Sequence, residues 1–432
     1  MRSPVWTLLL ALSFAAGCSQ TVAMDRNPDV AATQPAPADA GIVDAAGIQA
    51  ALDAAAATGG VVRLEARRYR LDRPITIPRG VTLAGVWESP HHAELSSGTV
   101  FEVTANHGEE NGPPLVSLNR SSTIRGITFY YPNQRIPATP YPWTIQGRDM
   151  HNSVIDCTFV NAYKAIDFGT HANELHYIRN CFGCPLRIGV HIDRCTDIGR
   201  IENVHFNPHY WMRAEASNAP NWPELLKYLF ENLIAFEFGR TDWEYVHNTF
   251  CFGAKIGYRF YNNPDAPNAG TVNGNFLGIG ADWCHRAVLV EASQMPGLLI
   301  TNGEFVGGEG SDAMVEVLPE NRGVVHFNNC AFWGPCERVA ILRGQSTTSF
   351  FQCNFLNWTP QATGAFTIEA EAGDVTIQGC RFGIARPDIR LGPDVSTAII
   401  AANWFHHGKQ IENNSRGDVQ EGLNVETKPP AQ

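Results

Sequence analysis

Residues 323–332 read GVVHFNNCAF, and residues 374–382 read DVTIQGCRF. Each is a short run of alternating apolar residues closed by Asn or Gly, then Cys, then Phe. Residues 174–182, ELHYIRNCF, end in nearly the same way. Aligned on the aromatic residue, the chain gives Phe129, Phe159, Phe182, Phe206, Phe250, Phe276, Phe305, Phe332, Phe355, Phe382 and Phe405, mostly 23 to 30 residues apart. Other strand-like segments come between them, among them AIDFG (165–169), IGVHI (188–192), AVLVE (287–291) and VAILR (339–343). No helical period separates these runs. Self-similarity at this period, with two short β-type segments per unit and Gly, Asn and Pro between them, predicts a parallel β-solenoid of about 11–12 coils. Equivalent residues then stack about 4.8 Å apart. Phe forms a core column, and Asn203, Asn273, Asn302 and Asn329, three residues before a Phe, form a column at a bend that satisfies backbone groups. A β-sandwich would reach such intervals only by coincidence.

The chain has 432 residues and a net charge of −11, which argues against a general nucleic-acid binder. Of its eleven cysteines, Cys157, Cys330, Cys353 and Cys380 each lie two residues before a Phe of the repeat. That position predicts a buried stack of thiols rather than a disulfide framework. The pairs Cys181/Cys184 and Cys330/Cys336 lack the partners of a zinc site.

The N-terminus, MRSPVWTLLLALSFAAGCSQ, carries Arg2 and then an apolar run from Val5 to Ala16, too short to span a bilayer. Ala15-Ala16-Gly17-Cys18 resembles the lipobox of a bacterial lipoprotein. Residues 1–18 are therefore expected to be a signal, with Cys18 lipidated. An ordinary secretory signal is the alternative, and both imply export to the bacterial envelope or beyond. Residues 19–40, rich in Ala, Pro, Thr and Asp, read as a flexible tether. The folded domain is expected over 41–415 and a disordered tail over 416–432. The only membrane contact expected is the lipid.

DAAGIQAALDAAAATGG (44–60) places Ile48, Ala51, Leu52 and Ala55 on one helical face. Such a helix would cap the open end of a solenoid. With the following GVVRLEARRYRLDRPITIPRGVTLAGV (60–86), it resembles the first coils of the pectate-lyase-like, polygalacturonase-related superfamily of right-handed parallel β-helices. The resemblance implies that fold, with an N-terminal capping α-helix, over the repeat to about residue 412. It leaves activity open, since the fold hosts hydrolases, lyases, epimerases, tailspikes and adhesins. Some β-helices trimerise, so a trimer is among the assemblies it allows.

One interval, Phe206 to Phe250, is 44 residues long. Its extra residues, 207–231, include His209, Tyr210, Trp211, Trp222 and Tyr228, and predict a wall beside a flat sheet. Trp143, Tyr163, Trp283, Trp333 and Trp358 fall in equivalent turns, and flat rings with a polar edge suit sugar faces. Lys164, Arg187, Lys255, Arg286 and Arg338 stand near the entry to successive strands. A column of cations repels itself unless an anion lies along it, so it reads as a track for uronate or sulfate groups. The alternative is pairing with Asp167, Asp282, Asp312 or Glu337.

GIGADWCHR and VGGEGSDA supply Asp282, His285, Glu309 and Asp312 from neighbouring coils. In polygalacturonases, which the chain resembles, acids and a His occupy such turns, although the NTD, DD and GHG signatures of those enzymes are absent here. Two carboxyls about 5–9.5 Å apart hydrolyse a glycosidic bond. The expected activity is therefore acid/base hydrolysis of an anionic polysaccharide, with no cofactor. The first alternative is β-elimination by a base among Lys164, Arg187, His191, Lys255, His209 and Tyr210, with calcium as a helper. The second is glycan binding without catalysis. Asp193, Asp197, Asp242 and Glu244 read as a solvated turn or a calcium site.

Overall fold

A computed structural model describes residues 42–88, 95, 97–358 and 364–427. The signal, the Cys18 lipidation site and the tether at 19–40 lie outside the described residues. The fold is a right-handed parallel β-helix of about 14 turns, with three strand ladders running its length.

Sheet 1 begins with Gly60–Arg63 on Val81–Ala84 and ends with Asp418–Gly422 on Thr397–Ala401. Sheet 2 begins with Arg68–Leu71 on Thr99–Val103 and ends with Val425–Glu426 on Trp404–Phe405. Sheet 3 begins with Ile75–Ile77 on Val116–Leu118 and ends with Ile411–Asn413 on 389–391.

The predicted core column is present on sheet 2, with corrections that matter for the site. The register runs Tyr69, Phe101, Phe129, Phe159, Gly183, Phe206, Cys251, Ala281, Phe305, Phe332, Phe355, Phe382, Phe405, Glu426. Coils at Tyr69, Phe101 and Glu426 lie beyond the Phe129–Phe405 run, which is why the count exceeds the expected 11–12. Phe182 and Phe250 sit one residue early, so they point outward, leaving Gly183 and Cys251 inside. Phe276 belongs to sheet 1, opposite Val246 and Ile300. In the coil where sheet 2 carries Cys251, sheet 3 carries Tyr258, which stacks 4.9 Å from Phe236 of the coil before. A core must be filled to crystal-like density, and any sheet can supply the volume.

The bend between sheets 1 and 2 takes one residue in the left-handed region in coil after coil, including Asp156, Asn180, Asn203, Asn302 and Asn329. Asn tolerates that region better than other side-chain-bearing residues. The side chains also form a ladder: Asn180 donates to Asp156 at 3.0 Å, Asn203 to Asn180 at 2.9 Å and Asn329 to Asn302 at 2.8 Å. Asn273, expected in this column, instead lies in sheet 1.

The ten described cysteines are buried and free. The Cys330 and Cys380 sulfurs accept the backbone N–H of Gly303 and Cys353, each at 3.4 Å.

The capping helix spans Ala45–Ala55, with the Asp44 carboxylate accepting from Gly47 N. Ile48 and Leu52 are buried, and Ala51 and Ala55 pack against the core. Gln49 donates to Thr76 O at 3.1 Å and accepts from Thr76 N at 2.7 Å. One side chain thus closes the free edge of sheet 3, which would otherwise pair with another chain. At the other end the domain runs past 415. Residues 416–427 are not a disordered tail, because Asp418–Gly422 and Val425–Glu426 form the last coil. That segment has few large apolar residues, so its pairing leaves no hydrophobic pattern to read. Among the described residues no helix is long and apolar enough to cross a membrane.

Candidate active site

The insertion after Phe206 forms two helices, His209–Met212 and Trp222–Asn232. Asn221 caps the second by accepting from Glu224 N at 3.0 Å, and Leu225 and Leu229 are buried beneath it. Tyr210 and Trp211 are buried too. Trp211 Nε1 donates to Asn218 at 3.3 Å, and the Asn218 amide donates to the carbonyls of Tyr131, Pro132 and Gln134. These rings fasten a cover; they do not line a groove. His209 stacks on Trp222 at 5.0 Å, and Phe230 meets His285 edge-on at 5.4 Å. The insertion therefore walls the turns that lead from sheet 2 into sheet 3.

The expected cation column is not one column. On sheet 3, Lys164 is level with Trp143, Ile188, Ile234, Ile256 and Arg286, so Arg187 and Lys255 fall one residue earlier. Most of the charges are also matched. Arg286 bonds Asp312 at 2.7 Å and Glu316 at 2.8 Å, and Arg338 bonds Glu337 at 2.9 Å and Glu369 at 2.8 Å. Lys164 donates to Glu110 O at 2.9 Å with the Glu110 carboxylate 3.8 Å away, and Arg187 donates to Asn232 O at 3.0 Å. Lys255 lies exposed near His285.

The four groups expected to do hydrolysis are spread out. Asp282 is on the outward face of sheet 2, in a depression of about 410 Å³ shared with Phe250, Glu304 and Trp333, and burial raises its carboxyl above the usual range. Trp283 follows it, half-buried, at φ 54°. Glu309 is exposed in the next turn. Asp312 is partly buried, but the Arg286 guanidinium outweighs that burial and holds the carboxyl below its usual value. Burial and the Arg286 charge lower His285.

A tighter cluster lies on the outward face of sheet 3, where Gln146, Asp167, His191, Glu237 and Arg259 share one register position in five successive coils. Asp167 is fully buried and accepts four hydrogen bonds: Gly169 N at 2.8 Å, Thr170 N at 3.1 Å, Gln146 Nε2 at 2.7 Å and His191 Nδ1 at 2.8 Å. Burial pushes this carboxyl up, yet the His191 bond and the backbone donors outweigh it and the net shift is downward. Asp167 is then ionised, so Nδ1 of His191 carries the proton. Burial opposes a charged His191, but Asp167, Glu237 and Asp193 together raise it above the ordinary histidine range.

The other ring nitrogen, Nε2, meets the Tyr261 hydroxyl at 2.9 Å. Burial first, then the charges of Asp193 and Glu237, raise that phenol, so it stays protonated at neutral pH. Arg259 lies over the Tyr261 ring at 4.8 Å and bonds Glu237 at 2.5 Å and Glu291 at 2.6 Å. Half-buried Trp143 stacks on His191 at 5.8 Å, and the Lys164 ammonium stands over the Trp143 ring at 5.4 Å. Space for the imidazole depends on Gly169, where a Cβ would fall 2.3 Å from His191 Cε1.

His191 and Lys164 were expected as candidate bases, and Asp167 as an ion-pair partner. Tyr261, Glu237 and Arg259 were not expected, because nothing local links Tyr261 to a histidine 70 residues earlier. The Phe-Gly pairs at 168–169 and 238–239 were the available signal, marking where strand ends approach a neighbour.

No protein-family model matches the sequence, and no curated protein matches it. Solved structures with a similar course of the chain exist. The A-module of mannuronan C-5 epimerase AlgE4 from Azotobacter vinelandii is 13% identical with a TM-score of 0.41, over 90% of this chain and 96% of that one. The surface adhesin PfbA of Streptococcus pneumoniae is 13% identical with a TM-score of 0.39, over 91% and 92%. The catalytic domain of a GH87 alpha-1,3-glucanase in complex with nigerose is 10% identical with a TM-score of 0.40, over 85% and 63%. At these scores the likeness carries no argument about activity. The strand pairing sets the fold, and the side chains have to carry the function.

The four acids expected as a solvated turn or a calcium site do not converge. Asp193 and Glu244 are fully buried, Asp242 is bound to Arg240 and Gln294, and Asp197 is exposed. Asp193 accepts from Arg194 N at 2.7 Å, Arg240 N at 2.6 Å and Asn263 Nδ2 at 2.5 Å, which secures the turn behind Tyr261.

Proposed function

We propose that this chain is an exported enzyme that cleaves a uronate-bearing polysaccharide by β-elimination on the outward face of sheet 3. The observation that carries the reading is the hydrogen-bonded line Asp167–His191–Tyr261 beside Trp143 and Lys164. A lyase needs a proton acceptor and positive charge against the uronate carboxylate. In the proposed step Tyr261 Oη takes the proton from the carbon beside the carboxyl while passing its own to neutral His191 Nε2. The electron pair of the broken C–H bond forms the double bond. The glycosidic oxygen leaves with the pair of its bond and takes a proton from water. Asp167 holds the imidazole in the right tautomer and stabilises the imidazolium that forms. Lys164 and Arg187 face the carboxylate. Burial lowers Lys164, and an anion arriving beside it would favour its charged form. Calcium at the uronate is an added element of this reading.

Hydrolysis is the second reading, favoured by the raised carboxyl of Asp282 beside Glu304 and Trp333. Export by the N-terminal signal, with a lipid on Cys18, belongs to the proposal on sequence grounds.

The test is incubation of the chain from Ser19 with neutral, uronate-bearing and sulfated polysaccharides, with and without calcium. New reducing ends together with ultraviolet absorbance of unsaturated uronates support elimination. Reducing ends without absorbance would replace it by hydrolysis. Binding with neither signal would leave a glycan-binding protein.

A further inference from the structure

His176, Cys195 and Glu244 lie on three consecutive coils, the first two in the turns that lead from sheet 3 into sheet 1 and Glu244 in the sheet 1 strand Thr241–His247. Asn173, Cys195 and Thr241 are bridged backbone to backbone in that order, which stacks the three turns. The strands that follow, Tyr177, Arg200 and Tyr245, are in register, so positions 176, 199 and 244 are equivalent. The middle one is Gly199. A Cβ there would fall 2.1 Å from the His176 ring and 2.5 Å from Glu244 Oε1. Its absence lets side chains from two non-adjacent coils meet, with His176 Nε2 3.0 Å from Glu244 Oε1. The Cys195 sulfur joins them, and the three ligating atoms lie within 4.8 Å of one another.

All three side chains are buried. Each is also oriented by a second group. Asn173 Oδ1 accepts from His176 Nδ1 at 2.9 Å, which turns Nε2 into the cluster, where without metal it donates its proton to Glu244 Oε1. Thr241 Oγ1 donates to Glu244 Oε2 at 2.8 Å, leaving Oε1 directed inward. Phe168 stacks on the His176 ring at 5.2 Å. Such outer partners are what metal-ligating histidines and carboxylates have.

We propose that His176 Nε2, Cys195 Sγ and a Glu244 oxygen bind a zinc ion that clamps these three coils together. Nitrogen, sulfur and oxygen donors in one buried group suit zinc, whose bonds of about 2.0–2.3 Å place ligand atoms roughly 3.3–3.6 Å apart. Small movements of His176 and Glu244 reach that spacing. Loading releases the Cys195 thiol proton and the proton that His176 Nε2 gives to Glu244, and a water or the second Glu244 oxygen completes the tetrahedron. Buried on all sides, the ion would be taken up during folding. Phe168 and Asn173 flank the turn whose N–H groups hold Asp167, so the clamp stiffens the ground beneath the candidate active site.

The test is metal analysis of the chain from Ser19, made without a polyhistidine tag in zinc-supplemented medium and dialysed against a weak chelator. About one zinc per chain is expected. Refolding with cobalt is expected to give a thiolate-to-cobalt charge-transfer band, and Cys195→Ser to lose band and metal together. Wild-type chain that keeps less than about a tenth of an equivalent of zinc and shows no cobalt band would overturn the proposal. Because the wild-type readings stand alone, a Cys195→Ser chain that fails to fold does not blunt the test. A cobalt band that survives in folded Cys195→Ser would likewise overturn the ligand assignment.

Discussion

His191 Nε2 stands 2.9 Å from the hydroxyl of Tyr261, a residue two coils further along the helix. No sequence neighbourhood creates that contact; the winding of the solenoid does. With Asp167 on the other ring nitrogen, the imidazole is fixed at both ends. Tyr261→Phe removes the hydroxyl and keeps the ring, so it is expected to lower kcat by about 10²–10⁴-fold while binding of an inert oligosaccharide changes little. Equal loss of binding and turnover would make Tyr261 structural.

The acidic limb of the kcat/KM profile should report His191. In the proposed step the neutral ring accepts a proton, so activity rises with pH through its ionisation. Asp167, Glu237 and Asp193 raise that ionisation above the ordinary histidine value of 6.5, so the limb should lie above 6.5. Asp167→Asn removes the main source of the rise and should move the limb to lower pH. A limb that Asp167→Asn leaves in place would belong to another group.

Gly169→Ala tests geometry without touching a titrating group. The added Cβ would meet His191 Cε1 at 2.3 Å, and the ring must turn or shift. A displacement of about 1 Å costs on the order of 10²-fold in rate. Circular dichroism should remain that of a β-helix. Full activity in Gly169→Ala would mean that His191 does not act where it stands.

A buried carboxyl elsewhere gives a stability test. Asp388 accepts from Gln410 N at 2.8 Å, and burial raises its pKa from 3.8 to about 7. An acid whose folded pKa is raised adds stability that is full below the unfolded pKa and is lost as pH rises through the folded one. The window here is about pH 4 to 7. Asp388→Asn keeps an acceptor for Gln410 and cannot ionise. It is expected to raise the melting temperature at pH 8 by an amount worth at most about 4 kcal/mol, with little change at pH 4. Equal melting temperatures for the two chains at pH 8 would refute this reading.

The fold was legible because core phenylalanines recur at a period the eye can follow, and Ile48 and Leu52 marked the capping helix. The register was less legible. Phe182 and Phe250 imitate core positions one residue away from Gly183 and Cys251, and Phe276 imitates one from a different sheet. A slip of one residue turns a side chain from core to surface, so the apparent cation column mixed positions. Asp282, Glu309 and Asp312 looked adjacent because their turns are adjacent, yet Arg286 holds one of them and another faces solvent. Asp167, His191 and Tyr261 needed the pairing of coils to be seen together.

The most direct test of where chemistry happens compares two variants on one substrate. Ultraviolet absorbance of unsaturated uronates would be followed with wild-type chain, His191→Asn and Asp282→Asn on the polysaccharide that wild type degrades. The sheet 3 account predicts that His191→Asn falls by at least about 10²-fold and that Asp282→Asn stays within a few-fold of wild type. Loss in Asp282→Asn with His191→Asn still active would contradict it and place the working surface on sheet 2.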